Sequence, residues 1–90
     1  MSKNNHGYHI IDIPRGVYGD SSKIVEELNE FLDAEEQGVS LMALQELSDI
    51  IGAIDGYLKH HHPSINLSDL VKMSEVTTRA FQSGQRQSKD

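Results

Sequence analysis

Residues 23 to 54 read KIVEELNEFLDAEEQGVSLMALQELSDIIGAI, and this stretch decides the fold. Before Gln37-Gly38, the apolar residues Ile24, Val25, Leu28, Phe31 and Leu32 recur at i, i+3, i+4. That spacing predicts a helix with one buried stripe. Asp20, Ser21 and Ser22 supply its N-cap candidates, and Gly38 is its natural stop. After the glycine, Ser40 is placed to cap a second helix carrying Leu44, Leu47, Ile50, Ile51, Ile54 and Leu58. Its stripe is broad, and Gly52, Ala53 and Gly56 add a small-residue surface for close approach by another helix. This helix is expected to be the central one and must end before Pro63.

Working outward, Asn66 or Ser68 caps a third helix through Leu70, Met73, Val76, Thr77, Ala80 and Phe81. Toward the N-terminus, Tyr8 to Pro14 holds Ile10, Ile11 and Ile13, a short extended arm, and Gly16 and Gly19 mark a loop. The fold expected is all-α: a small three-helix bundle built on an antiparallel, metal-binding helical hairpin. Residues 1–19 form a polar arm and loop, 20–84 the helical domain, and 85–90 a mobile polar tail. The first seven residues share that polar character. A ninety-residue domain buries only about 60–65% of its unfolded surface. Oligomerisation into a four-helix type of core is therefore expected.

The charge distribution is less ordinary. Between Ile24 and Leu58 stand nine acids, Glu26, Glu27, Glu30, Asp33, Glu35, Glu36, Glu46, Asp49 and Asp55, with no lysine or arginine among them. Carboxylates three or four apart on a helix sit about 5–6 Å from one another and destabilise it. At an effective dielectric near 20 such a pair repels by roughly 3 kcal/mol. If the chain folds back at Gly38, Glu30 lies level with Glu46 and Glu27 with Asp49. The i, i+3 spacing sets each pair on one face, and packed helix axes lie about 8–10 Å apart. Four carboxylates then converge from facing helices, an oxygen ligand set suited to Mg²⁺ with phosphate. Asp33 and Glu36 are expected to stand outside this cluster. An isolated E-x-x-E is ordinarily solvated surface; two pairs in register across a turn are not.

The segment Glu26-Glu27-Leu28-Asn29-Glu30, followed after fifteen residues by Glu46-Leu47-Ser48-Asp49, resembles the E-E-x-x-E … E-x-x-D signature of the MazG-like nucleotide pyrophosphohydrolases. The likeness covers roughly residues 20 to 86 and is strongest from Lys23 to Tyr57. It implies a Mg²⁺-dependent enzyme (Mn²⁺ as substitute) that hydrolyses a nucleoside triphosphate to the monophosphate and pyrophosphate. Glu27, Glu30, Glu46 and Asp49 would be metal ligands, and Glu26 or Glu30 would take the proton of the attacking water. Lys72, Arg79 and Arg86 would meet the phosphates. The resemblance further implies a homodimer or homotetramer, in which a neighbouring subunit helps complete the site. Alternatives are a dUTPase-like or phosphoribosyl-ATP pyrophosphohydrolase-like branch member, or a non-catalytic helical module that binds a nucleotide or partner.

The remaining features weigh less. His60-His61-His62 sit at a helix end and read as structural, because three consecutive residues cannot face one site. His6 and His9 are expected at the surface. Tyr57 reads as a bundle tyrosine rather than a base-stacking platform, and Phe31 and Phe81 as core. Lys23 either pairs with Glu27 at i, i+4 or reaches phosphate. The formal charge of −6 argues against gripping nucleic-acid backbone, which needs a basic face. Met1 to His9 lacks an apolar signal-peptide core, no apolar run approaches the ~20 residues of a membrane span, and there are no cysteines. A cytoplasmic protein is expected.

Overall fold

The computed structural model describes residues 9–84, which contain three helices and no strand. The mobility expected of the two termini, and the roles expected of His6 and Arg86, lie outside the described residues. Helix α1 spans Ser21–Gln37, α2 Ser40–His61 and α3 Leu67–Ser83. No helix among the described residues is long and apolar enough to cross a membrane.

The local signals explain the boundaries. Asp20 caps α1, its carboxylate accepting the Ser22 N–H at 3.0 Å. At the other end Gly38 adopts φ 76°, a left-handed conformation, which glycine adopts at no steric cost. Only Gly38 and Val39 separate α1 from α2, so the two helices fold back as an antiparallel hairpin. The N-cap of α2 is Val39 rather than Ser40, and no side chain caps it. Ser40 is already helical, because the two-residue turn leaves no room for it to stand outside. Asn66 caps α3 in a reciprocal capping box with Asp69.

The hairpin turns an unexpected face inward. Val25, Leu28 and Leu32 of α1 are half exposed, as are Leu44, Leu47 and Ile51 of α2. The buried residues of α1 are Glu26, Glu27, Asp33 and Ala34, and those of α2 are Glu46, Ala53, Gly56 and Leu58. The expected buried stripe of α1 therefore points outward, and the carboxylate face fills the space between the helices. One hairpin can cover only one face of each helix, and α3 does not cover the other. None of its residues is buried, and Val71, Met73, Val76 and Phe81 are all more than half exposed. Phe81 is thus not core within one chain, and Phe31 is half-buried. A cleft of about 510 Å³ lies between α3 and the hairpin, lined by Ile24, Ile54, Tyr57, Leu58, Leu70 and Met73 among others.

Residues 9–19 run without helix or strand and strap the open side of the hairpin. Ile13 is buried. Gly16 sits where a Cβ would collide with the Ser22 carbonyl, and its N–H donates to Glu26 Oε1 at 2.9 Å. The Tyr18 ring lies on Gly56, where a Cβ would meet it. The small-residue surface of α2 therefore receives a loop tyrosine at Gly56 instead of a helix, while Gly52 is open.

The hairpin turn gives a clean test. A Cβ on Gly38 would meet nothing within 4 Å, so Gly38→Ala should cost only the left-handed backbone, about 1–2 kcal/mol. Denaturant unfolding should show this loss, and Gly38→Asn should recover part of it.

Candidate metal centre

The inward face of α1 places Glu26, Glu27, Glu30 and Asp33 along one side of the hairpin interior. Helix α2 answers with Glu46 and Asp49. The side chain of Glu46 is completely enclosed and that of Glu27 nearly so. Oxygens of Glu27, Glu46 and Asp49 lie within 4.8 Å of one another, as do those of Glu26, Glu27 and Glu30. Three of the four acids expected to converge, Glu27, Glu46 and Asp49, fall in one such group, whereas Glu30 joins Glu26 and Glu27 in a second and His9 and Glu46 in a third. Asp49, like Glu30, is partly exposed, and it accepts a bond from Gln45 Nε2 at 3.2 Å.

One ammonium and one imidazole approach these acids. Lys23 Nζ stands 3.1 Å from Glu26 Oε1 and 3.2 Å from Glu27 Oε2. It thus takes the pairing that the sequence left open and spans both acids. Burial works against the Lys23 ammonium, but its bonds to Glu26 and Glu27 outweigh that and raise its pKa. Burial would push Glu26 up, yet the Gly16 N–H and Lys23 hold it below the ordinary carboxylate range. Glu30 is shifted the other way. Burial first, then the charge of Glu27 and the contact with Glu46, push its carboxyl up to about 8. Of the two acids proposed to accept a proton, Glu30 is therefore the stronger base near neutral pH.

The imidazole is a correction. His9 is buried, not at the surface: its Nδ1 lies 2.8 Å from Asp33 Oδ2 and its Nε2 3.2 Å from Glu46 Oε2. Asp33 also departs from expectation. It stands beside the cluster but is buried, and Oδ2 accepts from His9, from Ile10 N–H and from Gln37 Nε2. Burial pushes Asp33 up, and these three bonds more than reverse it. Its position was readable: 26, 30 and 33 fall on one helical face at i, i+4, i+7. Nothing local in the sequence could have brought His9 to residues 24 and 37 positions away.

Two buried oxygens, Glu27 Oε1 and Glu46 Oε1, have no hydrogen-bond partner. An unsatisfied buried acceptor costs about 1–3 kcal/mol, more when charged. Here there is one on each helix of the hairpin. Oxygen atoms in this arrangement are the donor set that Mg²⁺ takes. Next to them is a cavity of about 210 Å³, lined by Glu26, Glu27, Glu30 and Asp49 together with Ile13, Arg15 and Lys23. A wider groove of about 470 Å³ continues from it past Tyr18, Ser48 and Gly52, sharing Lys23, Glu27 and Asp49.

The expected phosphate bases are placed differently. Lys72 and Arg79 are exposed on α3 and line neither space. The bases that do border the carboxylates are Lys23 and Arg15, and Arg15 carried no sequence signal beyond its charge. Tyr57 stacks on His61 at 4.3 Å between ring centroids, and His60 packs edge-on against His61 at 5.0 Å. The histidine run thus forms an aromatic patch at the end of α2, away from the acids. Comparison of the chain with protein-family models, with curated proteins and with solved structures finds no match.

Glu30 sets a pH dependence. Below about pH 4.5 its carboxyl is protonated in folded and unfolded chains alike. From there up to about 8 the unfolded chain releases the proton while the folded chain keeps it, so stability is lost as pH rises. Glu26 and Asp33 are shifted the other way and act below that window. Thermal unfolding of the metal-free chain should show Tm falling between pH 5 and 8. Glu30→Gln should flatten that slope and raise Tm at pH 8; a slope unchanged by the substitution would contradict this account of the site.

Proposed function

We propose that this chain is a Mg²⁺-dependent nucleoside triphosphate pyrophosphohydrolase, splitting its substrate into the monophosphate and pyrophosphate. The observation that carries the reading is the pair of partnerless buried oxygens, Glu27 Oε1 and Glu46 Oε1, on the two helices that wall the carboxylate cavity. Glu27, Glu30, Glu46 and Asp49 would hold the ion. When bound, Mg²⁺ (or Mn²⁺) neutralises phosphate charge and lowers the pKa of a water.

The chain's own groups divide the remaining work. Glu30, which ligation of the ion would leave ionised, takes the proton of the attacking water. Glu26 stays ionised and keeps Lys23 and the Gly16 backbone in place. Lys23 and Arg15 meet the phosphate oxygens at the cavity wall, where positive charge stabilises the transferring group. The 210 Å³ space is too small for a whole nucleotide, so the nucleoside extends along the wider groove by Tyr18 and Gly52. Lys72 and Arg79 serve the phosphates from the exposed face of α3 in a neighbouring subunit. A second copy of the chain also covers the outward apolar stripes of α1 and α2, giving a homodimer or homotetramer.

One observation favours a different reading, a helical module without turnover. Lys23 already pairs with Glu26 and Glu27, and His9 already bonds Asp33 and Glu46, which is what a protein with no need for metal would arrange. Pyrophosphate release separates the two. With Mg²⁺ or Mn²⁺, a panel of common, deoxy and modified triphosphates, dUTP and phosphoribosyl-ATP included, should contain at least one substrate. Glu27→Gln and Asp49→Asn should lower turnover by more than the roughly 10–100-fold that loss of an outer-shell partner costs. Glu36→Gln, on the exposed side of α1, should leave it unchanged. Metal-dependent stabilisation with no turnover on any substrate would support the module instead.

The oligomer has its own check. Light scattering after size exclusion should give a mass of two or four chains, and Leu28→Glu with Leu47→Glu should reduce it to one.

A further inference from the structure

The N-terminal strap brings a nitrogen atom into a site otherwise made of oxygen. The His9 side chain is 1% exposed, and its two ring nitrogens face different acids. Nδ1 lies 2.8 Å from Asp33 Oδ2, an oxygen that already accepts the Ile10 N–H and the Gln37 amide. An ionised carboxylate has no hydrogen to give, so Nδ1 is the donor. Nε2 is then left facing Glu46 Oε2 at 3.2 Å and Glu30 Oε1 at 3.8 Å. Two acids and an imidazole nitrogen do not meet in a buried space without positive charge among them. That charge is either a proton or a metal ion.

The three groups are close enough for small side-chain movements to bring them to the spacing of metal ligands. At bond lengths of about 2.0–2.2 Å, neighbouring ligand atoms stand roughly 3.0 Å apart around an octahedral centre and roughly 3.4 Å apart around a tetrahedral one. Ligand atoms of His9, Glu30 and Glu46 all lie within 4.8 Å of one another. Glu46, whose side chain is fully enclosed, turns Oε2 to His9 and keeps its other oxygen, Oε1, without a hydrogen-bond partner. The bond from Nδ1 to Asp33 also has the form that orients metal-binding histidines, with the far ring nitrogen tied to a carboxylate.

We propose that His9, Glu30 and Glu46 form a mixed nitrogen–oxygen site for a divalent transition ion of the Mn²⁺, Fe²⁺, Co²⁺ or Zn²⁺ class, with Asp33 as its positioning residue. Imidazole suits these ions, whereas Mg²⁺ keeps to oxygen. The inference rests on the metal-centre part of the reading above, not on hydrolysis. The site shares Glu30 and Glu46 with the four acids assigned to Mg²⁺ and meets the all-oxygen group of Glu27, Glu46 and Asp49 at Glu46, so an ion here would sit beside one held by that group. Because the strap supplies the nitrogen, occupancy also fixes residues 9–16 against the hairpin.

Electron spin echo spectroscopy of the full chain loaded with Mn²⁺ tests this directly. The spectrum should carry the modulation of one directly bound imidazole nitrogen, and ¹⁵N-histidine labelling of the unmutated chain should change it. His9→Gln should abolish the modulation, while replacing His60, His61 and His62 together by glutamine should leave it intact. Asp33→Asn should weaken Mn²⁺ binding by about 10–100-fold and Mg²⁺ binding by less. Mn²⁺ bound without nitrogen modulation, or modulation that persists in His9→Gln, overturns the assignment and leaves the oxygen site standing. A chain that binds neither Mn²⁺ nor Mg²⁺ overturns both.

Discussion

The structure depends on a repulsion that it does not fully relieve. Four acids of α1 and two of α2 face one another across a two-residue turn, and Glu46 among them is sealed from solvent. At an effective dielectric near 20, two like charges about 4 Å apart repel by about 4 kcal/mol. Lys23 offsets Glu26 and Glu27, and His9 bridges Asp33 and Glu46. Glu30 is left to hold its proton to about pH 8, and one oxygen each of Glu27 and Glu46 goes without a partner. The acids of this hairpin are therefore only partly compensated by the chain's own groups, and the divalent cation we propose would complete them.

The same constraint turns the helices. With the polar face committed to the interior, the apolar stripes of α1 and α2 are presented outward, and α3 leaves them largely bare. The buried apolar residues of the described chain are only Ile13, Ala34, Ala53 and Leu58, too few to hold a domain by burial alone at about 25 cal/mol per Å². The enclosed carboxylates and the outward apolar stripes are thus two sides of one arrangement of the hairpin.

Helix boundaries were legible because they rest on local chemistry. Asp20, Gly38 and Asn66 each act where their residue type acts in any helix. The level pairing of Glu27 with Asp49 and Glu30 with Glu46 was also legible, since a short turn fixes the register of a hairpin. Which stripe faces inward was not. Periodicity marks an apolar face but does not say whether this chain or another copy covers it. The contributions of His9, Arg15 and Gly16 were hidden for a different reason. They lie on an irregular strap with no period to read, and they reach the acids through the tertiary path of the loop. Asp33 falls between these cases, on the acidic face by spacing but buried only because His9 comes to it.

Calorimetric titration of the metal-free chain with Mg²⁺ near pH 7, repeated in buffers of different ionisation enthalpy, bears most directly on the claim that the hairpin awaits a cation. Ligation requires Glu30 to give up the proton that its surroundings hold to about pH 8, and metal binding releases such protons into solution. The account predicts saturable binding accompanied by release of about one proton per site, with that release lost in Glu30→Gln. An absence of saturable binding, or binding with no proton released, would contradict it.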